Sequence, residues 1–109
     1  MIKIGVIGIG RIGSRHLEKL LEIDYFKVVG CYDADNKKLL RIGEDYNITC
    51  FNDVDELIQQ CDAVDILTSA DSHFYYAEKA IRYGKHVFLD KPISNNLEEA
   101  KRLAELVRE

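Results

Sequence analysis

Short apolar runs alternate with amphipathic stretches along the whole chain. Ile2–Ile7 is almost entirely apolar, as a strand covered on both faces has to be. Ile12, Leu17, Leu20 and Leu21 then recur at helical spacing. Phe26–Tyr32, "FKVVGCY", reads as a second strand. A weaker helix over 36–44 carries Leu39, Leu40 and Ile42, and Ile48–Phe51 is a short third strand. Asp53 followed by Glu56 forms a capping box ahead of Val54, Leu57 and Ile58. Val64–Thr68 gives a fourth strand. The next helix, over 72–83, places His73, Ala77, Ala80 and Ile81 on one face and stops at Gly84, where a left-handed cap would end it. His86–Leu89 is a fifth strand, and Asn96 with Glu99 opens a last helix that runs almost to Glu109.

Strands alternating with helices build a parallel sheet, and its crossovers are right-handed. The pattern therefore predicts one α/β domain over residues 1–109, doubly wound, with strand order 3-2-1-4-5. A sixth strand and a second domain are absent from the pattern. The chain is expected to be a truncated piece, a gene fragment or a stand-alone module. The sheet edge meant for a sixth strand would then invite a homo-oligomer, since unpaired edges associate.

The 109 residues are 47% hydrophobic and 31% charged, with a formal net charge of -4. That balance argues against a nucleic-acid surface, which needs a basic stripe. No apolar stretch approaches the roughly 20 residues that span a bilayer, so no membrane partner is expected. The opening "MIKIGVIGIG" is interrupted by Gly5, Gly8 and Gly10 and reads as a strand, not a signal peptide. Cys31, Cys50 and Cys61 form no CxxC pair. An odd count of scattered cysteines fits packed, reduced thiols in the cytoplasm and no metal site.

The chemistry concentrates in three places. Gly8-Ile9-Gly10-Arg11-Ile12-Gly13 is a GxGxxG between a strand and a helix. Its glycines permit a tight turn, close approach to a pyrophosphate, and close helix–strand packing. The helix end supplies free N–H groups for phosphate. Asp33 ends the second strand about 20 positions beyond Gly13, the spacing of a ribose-binding acid. Asp33 could instead cap the helix that follows, a role open equally to Asp35. The GK[ST] of a phosphate-loop NTPase is absent. Thr68, His73 and Lys91 lie at or just beyond strand ends, where ligands of such sheets bind. Lys91 precedes the chain's one proline, Pro92, which restricts it to extended backbone. Asp90 beside it can tune the ammonium by charge. Cofactor contacts are thus expected from Gly8, Gly10, Arg11, Ile12, Gly13, Asp33, Thr68, His73, Asp90 and Lys91. Asp33 would repel a 2′-phosphate, and "DADN" brings no arginine, so NAD is preferred over NADP.

"IGVIGIGRIGSRHLEKL", "YDAD" and "AVDILTSADSHFYYAEKAIRYGKHVFLDKPIS" together resemble the N-terminal Rossmann domain of the Gfo/Idh/MocA oxidoreductase family. The last piece contains the counterpart of the family signature GKHVxxEKP. The resemblance covers essentially the whole chain. It implies an NAD(P)-dependent oxidoreductase acting on CH–OH groups of a sugar, cyclitol or related polyol or carbonyl. It implies that Lys91 is the catalytic lysine near the nicotinamide, and that a C-terminal domain supplies the substrate site and the acid/base pair. This chain alone would then bind cofactor without turning over. Two positions depart from the family: Asp90 replaces its glutamate, and Ser69 stands where a proline is frequent. His16, at the family's frequent histidine position, is expected to pack or pair at the helix edge. A different class of function, a non-enzymatic NAD sensor, would use the same fold but has no evident use for Lys91 or His73.

Overall fold

Strand β1 (Ile2–Ile7) sits inside the sheet, and its side chains account for that: Ile4, Val6 and Ile7 are all fully buried. The computed structural model describes residues 2–89. After β1 come α1 (Arg11–Glu22), β2 (Phe26–Tyr32), α2 (Asn36–Tyr46), α3 (Val54–Gln60), β3 (Ala63–Ile66), α4 (Ala70–Arg82) and β4 (His86–Leu89). The four strands are parallel, in the order β2-β1-β3-β4. This is the doubly wound α/β architecture. The last helix expected from Asn96 onward lies outside the described residues.

The expected third strand, Ile48–Phe51, is reduced to a single parallel bridge between Cys31 and Cys50. Cys31 N–H donates to the Thr49 carbonyl at 3.0 Å, and Phe51 N–H donates to the Cys31 carbonyl at 2.9 Å. The segment has no room to extend a ladder. Asn47, left-handed at φ 51°, precedes it, and Asp53 already caps α3. It still lies along the outer edge of β2, so the order read from sequence holds, with β3 and β4 as the expected fourth and fifth strands.

Each helix boundary has a local cause. Asp35 caps α2, accepting from the N–H groups of Lys37 and Lys38 at 3.0 and 3.4 Å. Asp53 caps α3 through the Asp55 N–H. Helix α4 begins at Ala70, two residues before the expected start, and its last residue, Arg82, is followed by the cap residue Tyr83 and by Gly84 at φ 75°. There Gly84 N–H bonds the Ile81 carbonyl and Lys85 N–H bonds the Ala80 carbonyl, the paired closure of a left-handed glycine cap.

Two apolar layers sandwich the sheet. On one side Leu57, Ile58, Ala77 and Ala80 pack with Val64 and Ile66. On the other, Leu17, Leu20, Leu39 and Ile42 pack with Ile4 and Val6. Ile12 and Leu21, expected on the buried stripe of the first helix, are 55% and 48% exposed. The stripe is narrower than the pattern suggested because α1 meets the sheet mainly through Leu17 and Leu20.

One polar pair crosses this second layer. Asp65, in the middle of β3, is 7% exposed, and His16 of α1 places Nδ1 2.8 Å from its Oδ2. A carboxylate only accepts, so the ring Nδ1–H donates. The pair ties α1 to a strand it does not directly precede. His16→Ala is expected to lower stability by about 1.5–3 kcal/mol, the usual worth of a hydrogen bond to a charged group. Urea denaturation should show a lower midpoint at unchanged m-value; an unchanged midpoint would make the pair incidental.

Candidate functional site

The chain leaves β1 at Ile7 and reverses through Gly8-Ile9-Gly10 into α1. Gly8 has φ 94°, and a Cβ there would stand 2.7 Å from both the Leu67 carbonyl carbon and the Thr68 nitrogen. Gly13 packs the first turn of α1 against this bend; a Cβ on it would collide with the Gly8 carbonyl oxygen. At Gly10, by contrast, a Cβ would meet nothing within 4 Å. The turn is tight on its inner side and open toward solvent. Gly10 is the N-cap of α1, makes no side-chain cap, and no acidic residue follows in the first turn. The first amides of any α-helix lack helical acceptors, so this end presents donors and the positive end of a helix dipole.

Asp33 completes the turn from the neighbouring strand. Its Oδ2 accepts from the Ile9 N–H at 2.9 Å, and its Oδ1 accepts from the Asp35 N–H at 2.8 Å. Because Asp35 does the capping of α2, Asp33 is left to the turn. The two amides fix the carboxylate, and each oxygen keeps accepting capacity on its open side.

A cleft of about 380 Å³ runs between these parts and the end of β3. It brings together Gly8, Gly10, Asp33 and Thr68 from the sequence-derived set, with Lys38, Ser72 and Tyr76. Thr68 Oγ1 is buried and has no hydrogen-bond partner among the described residues. A buried hydroxyl without a partner is costly and rare, and here it stands in the wall of the cleft. Tyr76 is 8% exposed, and burial, with Tyr32, Tyr75 and Asp33 adding to it, raises its phenol above the ordinary tyrosine range. It remains a protonated hydroxyl at neutral pH.

The remaining sequence-derived residues are placed as follows. His73 is 3% exposed, behind the rim, with Nε2 2.9 Å from the Thr68 carbonyl oxygen. A carbonyl can only accept, so the proton is on Nε2, and the ring holds Thr68, a residue that lines the cleft. Arg11 lines an adjoining cavity of about 280 Å³ with Gly10, Lys38 and Arg41. Ile12 points outward and Gly13 is buried in the turn. Asp90 and Lys91 lie outside the described residues. Lys38, Arg41, Ser72 and Tyr76 escaped the sequence reading. They reach the rim from one face of α2 and the first turns of α4, and helical spacing from Asp35 and Ser69 was the available signal. Among the described residues no cluster of His, Cys, Asp or Glu could hold a metal, and no helix is long and apolar enough to cross a membrane.

Comparison with known proteins places this geometry in a family. The model of the oxidoreductase family with an NAD-binding Rossmann fold, Gfo/Idh/MocA, matches residues 2–109. The UDP-N-acetylglucosamine 3-dehydrogenase of Acidithiobacillus ferrooxidans is 32% identical over 108 residues, 99% of this chain and 34% of that protein. The myo-inositol 2-dehydrogenase of Thermotoga maritima is 35% identical over 107 residues, 95% of this chain and 32% of that protein. Among solved structures, a probable dehydrogenase from Thermotoga maritima superposes with a TM-score of 0.92 at 34% identity, over 98% of this chain and 33% of that one. The chain thus spans about a third of the length of the relatives it matches.

The turn itself makes a testable demand. Gly13→Ala forces backbone against backbone, and is expected to cost about 1–3 kcal/mol, as overpacking does. Thermal unfolding should show a clearly lower Tm. A variant as stable as the parent would mean the turn is looser than this geometry requires.

Proposed function

Because the chain belongs to the Gfo/Idh/MocA oxidoreductase family, we propose that it is the cofactor-binding part of an NAD(P)-dependent oxidoreductase. Its reaction would move hydride between the nicotinamide and a CH–OH carbon of a sugar, cyclitol or related polyol or carbonyl compound. The observation that carries this reading is the fixed carboxylate of Asp33 beside the open, donor-rich end of α1. The buried, unpartnered hydroxyl of Thr68 in the same cleft supports it.

These residues fit a dinucleotide. The amides from Gly10 to Gly13 would hold the pyrophosphate, and Asp33 would accept from the ribose 2′- and 3′-hydroxyls. Thr68, Ser72 and Tyr76 give that side of the cleft a polar wall. When bound, the nicotinamide supplies the hydride acceptor or donor. Lys91, by the family resemblance, orients the reacting hydroxyl and helps move its proton. A substrate domain in a longer polypeptide would complete the acid/base set, so this chain alone is expected to bind cofactor and turn over no polyol.

We further propose NAD as the preferred cofactor. Arg11, Lys38 and Arg41 ring the adjoining cavity, and they would favour a 2′-phosphate. Asp33 opposes it from nearer the ribose. Its carboxylate is held by two backbone amides, whereas Arg11, Lys38 and Arg41 are exposed side chains on flexible stems. Contact repulsion from a fixed charge outweighs attraction to mobile, screened ones. Titration calorimetry should give NAD binding tighter than NADP by at least about tenfold, or 1.4 kcal/mol. Asp33→Ala should narrow the gap mainly by weakening NAD. Equal or tighter NADP binding by the parent chain would refute the assignment.

For Lys91, a full-length parent carrying Lys91→Ala should bind NAD within a few-fold of normal. Its turnover should fall by about 10²–10⁴-fold, the range for a lost acid/base group. Near-normal kcat would make the lysine structural and refute its catalytic role; a full-length parent that binds NAD and turns over no polyol would favour a non-enzymatic NAD sensor.

A further inference from the structure

The sulfur atoms of Cys31 and Cys50 lie 4.0 Å apart. Sequence spacing gave no hint of this pairing, since the residues are separated by a strand end and a whole helix. They are direct partners in the parallel bridge beside β2. Adjacent strands run about 4.8 Å apart, inside the roughly 4.4–6.8 Å that a disulfide spans between Cα atoms. The two thiols are unequal. Cys31 is completely buried, while Cys50 is only partly so and its S–H donates to the Leu39 carbonyl of α2 at 3.1 Å.

We propose that Cys31 and Cys50 are a modification site: a reversible intramolecular disulfide formed by peroxide and opened by thiol reductants. Cys50, the less buried of the two residues, is the one assigned to react first. Its sulfur attacks one peroxide oxygen, the O–O bond breaks, and water leaves, giving a sulfenic acid. The Cys31 sulfur then attacks the Cys50 sulfur, an S–S bond forms, the S–O bond breaks, and a second water leaves. Two thiols lose two electrons and two protons, and the peroxide is reduced to two waters. Cys31 sets the pace. Burial chiefly, then Cys50 and Asp33, push its thiol up to about 12, so the attacking thiolate is scarce at neutral pH. The second step should therefore quicken as pH rises toward that value.

The link reaches the cleft by two short routes. Closing the sulfurs from 4.0 Å to about 2.05 Å draws in the end of β2, two residues before Asp33. It also withdraws the Cys50 S–H from Leu39, next to Lys38 at the cleft rim. Only this consequence rests on the cofactor reading; the disulfide itself does not. Cys61 serves as an internal control. It packs in the opposite layer from Cys31, and burial pushes its thiol up to about 11.

The test treats the full chain with a small excess of hydrogen peroxide, followed by intact mass, peptide mapping and NAD titration. The expected product is a monomer lighter by two hydrogens, with Cys31 joined to Cys50, Cys61 free, and reversal by dithiothreitol. NAD affinity of the oxidised chain should fall by about fivefold or more, the low end of ordinary site-to-site coupling. Cys50→Ser should give no linked peptide and an NAD affinity that peroxide leaves unchanged. Overoxidised Cys50 without a linked peptide, or disulfides between molecules, would overturn the proposal. A linked chain with unchanged NAD affinity would overturn its reach to the cleft. A reduced chain that binds no NAD would instead sink the cofactor reading, while the mass measurement would still decide the disulfide.

Discussion

The hydrogen bond from the Ile9 N–H to Asp33 Oδ2, 2.9 Å long, carries the link between β1 and β2 beyond their last backbone bond, Gly8 N–H to the Tyr32 carbonyl, and into the glycine turn. Parallel strands bring their carboxyl ends to one rim, but the rim alone has no shape. This bond fixes the glycine turn relative to the end of β2. The contact of Gly13 on the Gly8 carbonyl then fixes the turn relative to α1. The bend of Gly8 against Leu67 and Thr68 fixes it relative to β3. Three elements are thereby locked around one small volume. What remains open is the solvent side of Gly10 and the free oxygen faces of Asp33.

Much of this was legible in the chain. The alternation of apolar runs and amphipathic stretches was enough for β1, β2, β4 and the parallel order, because a strand buried on both faces has few ways to be written. The glycine turn and Asp33 were legible because their roles need specific residues at specific separations. The 48–51 segment read as a strand from its apolar residues, yet only one bridge forms. Propensity does not register that Asn47 and Asp53 pinch it at both ends. Ile12 and Leu21 have the right periodicity but the wrong angle to the sheet, and that angle is set by tertiary packing. His73 read as a rim residue from its position after a strand, while its ring turns inward to the Thr68 carbonyl. Lys38, Arg41 and Tyr76 come to the site from α2 and α4, and only their helical spacing from Asp35 and Ser69 pointed to them.

Charge is distributed with the same economy. Asp33 is held by two backbone amides at the turn, while exposed Lys38 lines the same cleft and, with Arg11 and Arg41, the adjoining cavity. A fixed acid and exposed bases around one rim act oppositely on any phosphate bound there. The same end of β2 carries Cys31, so the strand that positions the acid is also the one a disulfide would tug.

The central claim is that one cleft, bounded by the glycine turn, Asp33 and the end of β3, receives the cofactor. Backbone amide NMR of the chain during NAD titration tests this most directly. The account predicts saturable shifts concentrated at Gly8 to Gly13, at Asp33 to Asp35 and at Thr68 to Ser72, with the amides of α3 nearly unmoved. Saturable shifts centred elsewhere, or none at millimolar NAD, would contradict it.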